Sequence, residues 1–149
     1  MPSIAPVFRE LSREECELVL RAHQYGRLAF TFHDRVDIEP IHYVYDNGWI
    51  VARTGAGTKA NVLGHHPWVA FEVDDAQGLF SWRSVVVKGT VYAVEADGVA
   101  HDVAARDHAV EMFRRLLPTA FTPDDPLPSR NVLFRIHIDE FQGRACAPR

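Results

Sequence analysis

Two short stretches carry the side chains best suited to hold a small molecule. The first is Thr54-Gly55-Ala56-Gly57-Thr58-Lys59, which directly follows the apolar run WIVAR. Glycines free backbone amides, and a hydroxyl beside an ammonium group completes a donor set that suits a phosphate at the start of a helical turn. The order is wrong for a nucleoside-triphosphate loop, which needs G-x-x-x-x-G-K-[ST]; here the threonine precedes the lysine. The competing reading is an ordinary strand-to-helix loop with Lys59 in solvent. The second stretch, Trp82-Arg83-Ser84, sets an aromatic plane, a guanidinium and a hydroxyl where a strand with one buried face would begin apolar. Its competing reading is a strand end with Arg83 in water. Taken together, the stretches offer cations and hydroxyls on two rims, between which an elongated anionic ligand with a flat ring fits.

Other chemistries find less support. Eight histidines invite a metal, but His65 and His66 are adjacent and so point apart, and His101 and His108 lack an accompanying carboxylate pattern. No metal site is expected. No G-x-S-x-G elbow marks a nucleophile. The pairs Asp74-Asp75 and Asp124-Asp125 fall in expected loops and read as solvated. No catalytic acid or base is assigned on these grounds.

The elements that must position these residues follow from periodicity and punctuation. Ser12 and Glu15 form a capping box, with Leu11 able to pack on Cys16, and open a helix that stops before Gly26. RLAFTF alternates, with Leu28, Phe30 and Phe32 on one face. His33-Asp34-Arg35 reads as a turn. VDIEPIHYVY is a second strand interrupted by Pro40, which removes a ladder donor and so belongs at an edge or bulge. Asp46-Asn47-Gly48 predicts a hairpin turn into the strand WIVAR. A short helix is expected over 59–65, halted by Pro67, then the strand WVAFEVD, a loop over 75–81, and the long strand WRSVVVKGTVYAVE with a bulge at Gly89. Asp97 caps a second helix over about Val99 to Leu117, with Val103, Val110, Phe113, Leu116 and Leu117 facing inward. PTAFTPDDPLPSR, with four prolines, is a loop without regular structure, and NVLFRIHID is the last strand. The fold expected is mostly β with peripheral helices, a six-stranded antiparallel split β-barrel, with the Gly-rich loop at its rim.

At 149 residues the chain fits one domain, 1–149, able to bury a core without staples. A net charge of -4 and the lack of a basic run speak against a nucleic-acid partner. No membrane span is expected, and the N-terminus MPSIAPVFRELS lacks the plan of a secretion signal. Cys16 and Cys146 could pair, but a reduced cytoplasmic setting is the expectation.

The runs GRLAF, EPIHYVYDNGWIVARTGAGTKANVLGHHPWVAFEVDD, WRSVVVKGTVYAV and FRIHIDEFQGR resemble the pyridoxamine 5'-phosphate oxidase-like, FMN-binding split-barrel superfamily from about Leu11 to Arg144. The most specific piece is the hairpin followed by T-x-x-x-T-K, then H-x-P-x-V-x-F and R-S-V-x-V-x-G. The resemblance implies a homodimer with FMN in clefts between subunits. It implies that Thr58 and Lys59, with Thr54, hold the FMN phosphate. It also implies that the backbone of Glu39, Pro40, Ile41 and His42 lies along the flavin ring, with Trp82, Arg83 and Ser84 as further contacts. Asp37 and His42 stand where the oxidases carry arginine and lysine, Ser84 is shorter than their glutamine, and the chain ends GRACAPR without their arginine-rich segment. True pyridoxamine 5'-phosphate oxidase activity is therefore not implied; the likeness is to flavin-reductase and nitroimidazole-reductase-like members. The implied function is electron transfer from a reduced nicotinamide through FMN to a small oxidised molecule, with His42 as a proton donor near the ring. The alternative is a non-catalytic flavin- or haem-binding module, and a deazaflavin would want more cations than this chain has.

Overall fold

The computed structural model describes residues 5–55, 66–94 and 100–149, the side chains of 100–102 excepted. Its elements are β1 (Val7–Glu10), α1 (Arg13–Ala22), β2 (Tyr25–Phe32), β3 (Arg35–Asp46), β4 (Trp49–Thr54), β5 (Trp68–Gly78), β6 (Ser81–Val94), α2 (Ala100–Leu116) and β7 (Val132–Ala147). All strand pairings are antiparallel, in the order β1-β7-β4-β3-β2-β5-β6, and β6 returns to β7 to close a ring of six. The six-stranded barrel read from the sequence is present; the seventh strand, β1, was not foreseen. It pairs with β7 at Val7↔Ala147 through Glu10↔Arg144. All four of its residues are exposed, so no hydrophobic alternation announced it.

Local chemistry explains most element ends. Ser12 accepts from the Glu15 amide and the Glu15 carboxylate accepts from the Ser12 amide, the reciprocal cap expected. Arg9, forking onto both Glu15 oxygens at 3.0 and 2.7 Å, holds that carboxyl down at about 2. The β3–β4 hairpin turns on Asn47 and Gly48, both at positive φ (43° and 88°), and His33 and Asp34 (49° and 60°) turn β2 into β3 in the same way. Three boundaries differ from expectation. The helix stops before Gly26 as expected, at Ala22, but β2 begins at Tyr25, so Gly26 lies inside it. The loop foreseen over 75–81 shrinks to two residues, because β5 runs to Gly78 and β6 begins at Ser81. The last strand continues past Asp139 to Ala147, since β6 and then β1 supply it with partners.

The bulge foreseen at Gly89 is present. Lys88 faces Glu140 and Gly89 faces Ile138, leaving Asp139 as the extra residue. A Cβ on Gly89 would lie 2.3 Å from the carbonyl oxygen of His137, so the strands approach as closely as they do only without a side chain there. Asp139 turns outward and accepts from the Thr90 hydroxyl (2.9 Å) while contacting His137 Nδ1 (2.8 Å).

The chain builds two cores. The barrel interior is filled by alternate residues of the ring, among them Leu28, Phe30, Ile41, Tyr43, Phe71, Val85, Val87 and Ile136, with Cys16, Val19 and Leu20 of α1 in the same cluster. The buried Tyr43 hydroxyl donates to the Leu20 carbonyl at 2.6 Å and ties α1 to β3. The second core lies outside the ring, where Ala109, Met112 and Phe113 of α2 cover Val51 and Leu133. Phe113 faces inward as expected; Val103 does not, and is exposed. Asp97 and the short helix foreseen over 59–65 lie outside the described residues. Both cysteines are free and buried. No helix among the described residues is long and apolar enough to cross a membrane.

Candidate functional site

The site begins where β3 and β4 part. They pair from Asp46↔Trp49 up to Tyr43↔Ala52 and no further. Beyond that point β3 keeps β2 along Arg35 to His42, with Pro40 opposite Arg27, while β4 keeps β7 at Arg53↔Leu133 and Thr54↔Val132. Among the described residues, one edge of β3 from Pro40 to His42 therefore has no strand beside it. Pro40 fits that position, having no N–H to leave unpaired. Pro40 and His42 are exposed and Ile41 points into the barrel. The His42 ring meets the Tyr25 ring edge-on, centroids 5.6 Å apart.

The gap opens into a cavity of about 400 Å³, within the size range of small-molecule sites. His42 of β3 and Arg53 of β4 line it at the split, Phe113 and Leu116 of α2 form an apolar wall, and the Pro-rich loop supplies Leu127 and Arg130. That loop lacks regular structure, as expected, yet it is held firmly. Arg53 forks onto Asp125 at 2.6 and 3.1 Å, with 3% of either side chain exposed. Asp125 also accepts from the amides of Phe121 (2.8 Å) and Leu127 (2.9 Å). The guanidinium lies between the rings of Phe113 and Phe121, 5.1 and 5.0 Å from their centroids. The Arg53 hydrogen bonds, helped by those two amides, hold the Asp125 carboxyl well below the usual carboxylate range. Asp125, expected in solvent, is instead the buried anchor of the loop. Arg53 too was missed as a site residue, because an outward-facing strand residue looks solvated until a helix and a loop cover it.

The eight candidate residues that are described do not gather in one place. Thr54 ends β4, half-buried, at the split; Thr58 and Lys59 lie outside the described residues. Trp82, Arg83 and Ser84 open β6 as expected, but β6 is the strand opposite β3 in the ring. Trp82 and Ser84 line a separate cavity of about 360 Å³ with Gln142 and Arg144 of β7. The Trp82 ring stands edge-on to Phe8 of β1, centroids 6.2 Å apart. Ser84 donates to Glu72 at 3.2 Å. Partial burial, reinforced by Asp74, raises the Glu72 carboxyl. Arg83 is exposed and makes no ion pair among the described residues. No group of three His, Cys, Asp or Glu is placed to hold a metal among the described residues.

Comparison with known proteins places this architecture. Residues 12–145 match a family model described as pyridoxamine 5'-phosphate oxidase. An uncharacterised protein of Rhizobium meliloti (strain 1021) is 30% identical over 93% of this chain and 96% of its own. The crystal structure of a FAD-binding protein from Mesorhizobium loti superposes with a TM-score of 0.73 at 31% identity, covering 93% of this chain and 97% of that one. A 5-nitroimidazole antibiotic resistance protein from Bacteroides thetaiotaomicron, so described, shares the fold with a TM-score of 0.71 at 15% identity, over 95% of this chain and 89% of the other.

Proposed function

The chain belongs to the pyridoxamine 5'-phosphate oxidase-like family of split barrels, and on that footing we propose that it binds a flavin nucleotide and works as a flavin-dependent oxidoreductase. The observation that carries the reading is the edge of β3 at Pro40 and His42, which has no strand beside it among the described residues and opens beside an apolar cavity. The rim of a flavin ring carries donors and acceptors, and a strand edge without a neighbour offers their complement. Pro40 marks where that edge need not donate. Thr54, with Thr58 and Lys59 that follow it in the chain, would grip the phosphate. A flavin held there would supply the redox chemistry, hydride transfer from a reduced nicotinamide and onward electron transfer to a small oxidised molecule. The protein's share is to orient the ring against β3 and exclude water, with His42 holding a proton at the end of the exposed edge.

The reading includes a homodimer. Trp82 and Ser84 face outward from the strand opposite β3, so one ligand meets both sets only across two copies of the chain. Size-exclusion chromatography with light scattering tests this; a monomer with full flavin affinity contradicts it. The family resemblance points to FMN, whereas the Mesorhizobium relative is described as FAD-binding. Heat-released cofactor whose fluorescence rises on phosphodiesterase treatment is FAD; unchanged fluorescence identifies FMN.

Flavin titration tests the central claim. Lys59→Ala removes one charge-assisted bond, which costs roughly 1.5–3 kcal/mol, or about ten- to a hundredfold in Kd. Unchanged affinity overturns the phosphate grip. Adding NADH and NADPH in turn to the loaded protein should bleach the flavin with one of them; no bleaching with either leaves a binding module.

A further inference from the structure

We propose that the outer face of β7, at Arg135 and His137, is a binding site apart from the split, and that it takes the phosphate group of a small phosphate monoester. Ile136 and Ile138 point into the barrel, so Arg135 and His137 share the outward side of the strand. Their neighbours are aromatic: His137 lies opposite Trp49 of β4, and Arg135 lies opposite Tyr92 of β6. The guanidinium carbon of Arg135 stands 4.3 Å from the centroid of the Trp49 ring. The Tyr92 ring, on a residue 47% exposed, leans over β7 to within 5.8 Å of that same ring. Trp49 opens β4, whose other end is at the split, so this face is distinct from the cavity beside His42.

The cation is held against the indole without an anion. Arg135 makes no hydrogen bond or ion pair among the described residues, and its Nε is buried with nothing to donate to. Buried donors are ordinarily satisfied, so a guanidinium fixed in this way stands ready for a partner from outside the chain. With Nε covered, the edge formed by its two Nη atoms is the one a ligand reaches, and two oxygens of an oxyanion match it. His137 selects among oxyanions. Its Nδ1 lies 2.8 Å from Asp139 Oδ1, while the Thr90 hydroxyl donates to Oδ2 at 2.9 Å. Those bonds hold the Asp139 carboxyl below its ordinary range, so it accepts and the imidazole proton sits on Nδ1. Nε2 is thereby left for a ligand, with the carboxylate on the far side of the ring. A phosphate monoester near neutral pH has one proton to share: its monoanion donates to Nε2, and its dianion accepts from the imidazolium. A sulfonate of the same shape carries no proton and is a weaker acceptor. The bulge at Gly89 builds this arrangement, since Asp139 is the extra residue that sets a carboxylate beside His137.

The probe is phenyl phosphate, titrated into the full chain by calorimetry in phosphate-free buffer at pH 7, with benzenesulfonate and inorganic phosphate as comparisons. Phenyl phosphate should bind tightest, because benzenesulfonate brings no proton to His137 and inorganic phosphate has no body to pack on Tyr92. Arg135→Gln should weaken phenyl phosphate roughly tenfold or more, as loss of a charged hydrogen bond does. His137→Phe, at an exposed position, should lower phenyl phosphate to the level of benzenesulfonate and leave benzenesulfonate unchanged. Lys59→Ala should leave the event that depends on Arg135 intact. Phenyl phosphate affinity indifferent to both Arg135→Gln and His137→Phe overturns the site. Loss of all binding in Lys59→Ala, with none in Arg135→Gln, places the phosphate at the split and overturns the site while the flavin reading stands. Benzenesulfonate as tight as phenyl phosphate overturns the part given to His137, and inorganic phosphate as tight as phenyl phosphate overturns the ester in favour of the free ion.

Discussion

Replacing Arg53 by methionine isolates the ion pair that anchors the Pro-rich loop. Methionine keeps much of the apolar stem but leaves the Asp125 carboxylate buried, with only the Phe121 and Leu127 amides as partners. Breaking one side of a buried pair costs about 3–5 kcal/mol. For a chain of this size that is a fall in Tm of roughly 6–20 °C. Thermal and urea unfolding at pH 7 measure it. The pH dependence separates the charge effect from lost packing. Arg53 depresses the folded-state value of Asp125, so the pair contributes fully above the unfolded carboxyl value of about 3.9, and the contribution drains away as pH falls through the folded value. In Arg53→Met the same carboxyl escapes its penalty by taking up a proton. The stability gap between wild type and variant should therefore narrow from pH 7 towards pH 3. Arg53→Met/Asp125→Asn, with neither charge, should recover most of the loss. A gap below about 1 kcal/mol at pH 7, or one that stays constant with pH, refutes the reasoning.

Other perturbations reach other parts of the molecule. Gly89→Ala should destabilise by about 1–3 kcal/mol in urea unfolding, because its Cβ meets the His137 carbonyl across the bulge. Tyr43→Phe leaves the Leu20 carbonyl at the end of α1 without its buried donor and should cost about 1–2 kcal/mol; an unchanged urea midpoint contradicts that tie. Burial pushes the Cys16 thiol up and covers Cys146, so a thiol reagent at pH 8 should modify the native protein only at its unfolding rate and both cysteines at once in denaturant.

Much of the ring could be read from residue order, because each strand carries its own evidence. Leu28 and Phe30 alternate with Arg27 and Ala29, Asn47-Gly48 dictates a tight reversal, and Gly89 in a long strand signals a bulge. What escaped notice depends on partners distant in the chain. Val7–Glu10 has no buried face and is a strand only because Arg144–Ala147 lies beside it. Val103 sits at an apolar position of α2 but on the side that nothing covers. Asp125 follows another aspartate in a Pro-rich stretch, and only the fold brings Arg53 to it. The candidate site was legible in the same uneven way. Pro40 pointed to a strand edge with room beside it, and the split supplies that edge. The cavity behind His42 was beyond reach, since its walls come from five segments with no shared motif.

The part played by β7 bears on how the protein is made. One strand pairs with β4 and β6 together and then with β1, so Val7–Glu10 and Arg144–Ala147 are zipped to each other. Until Val132–Ala147 has left the ribosome, β4 and β6 each present a bare edge and β1 has nothing to dock on. Ring closure thus waits on the synthesis of β7, and a nascent chain stalled before Val132 should recruit holding chaperones that a chain containing β7 escapes.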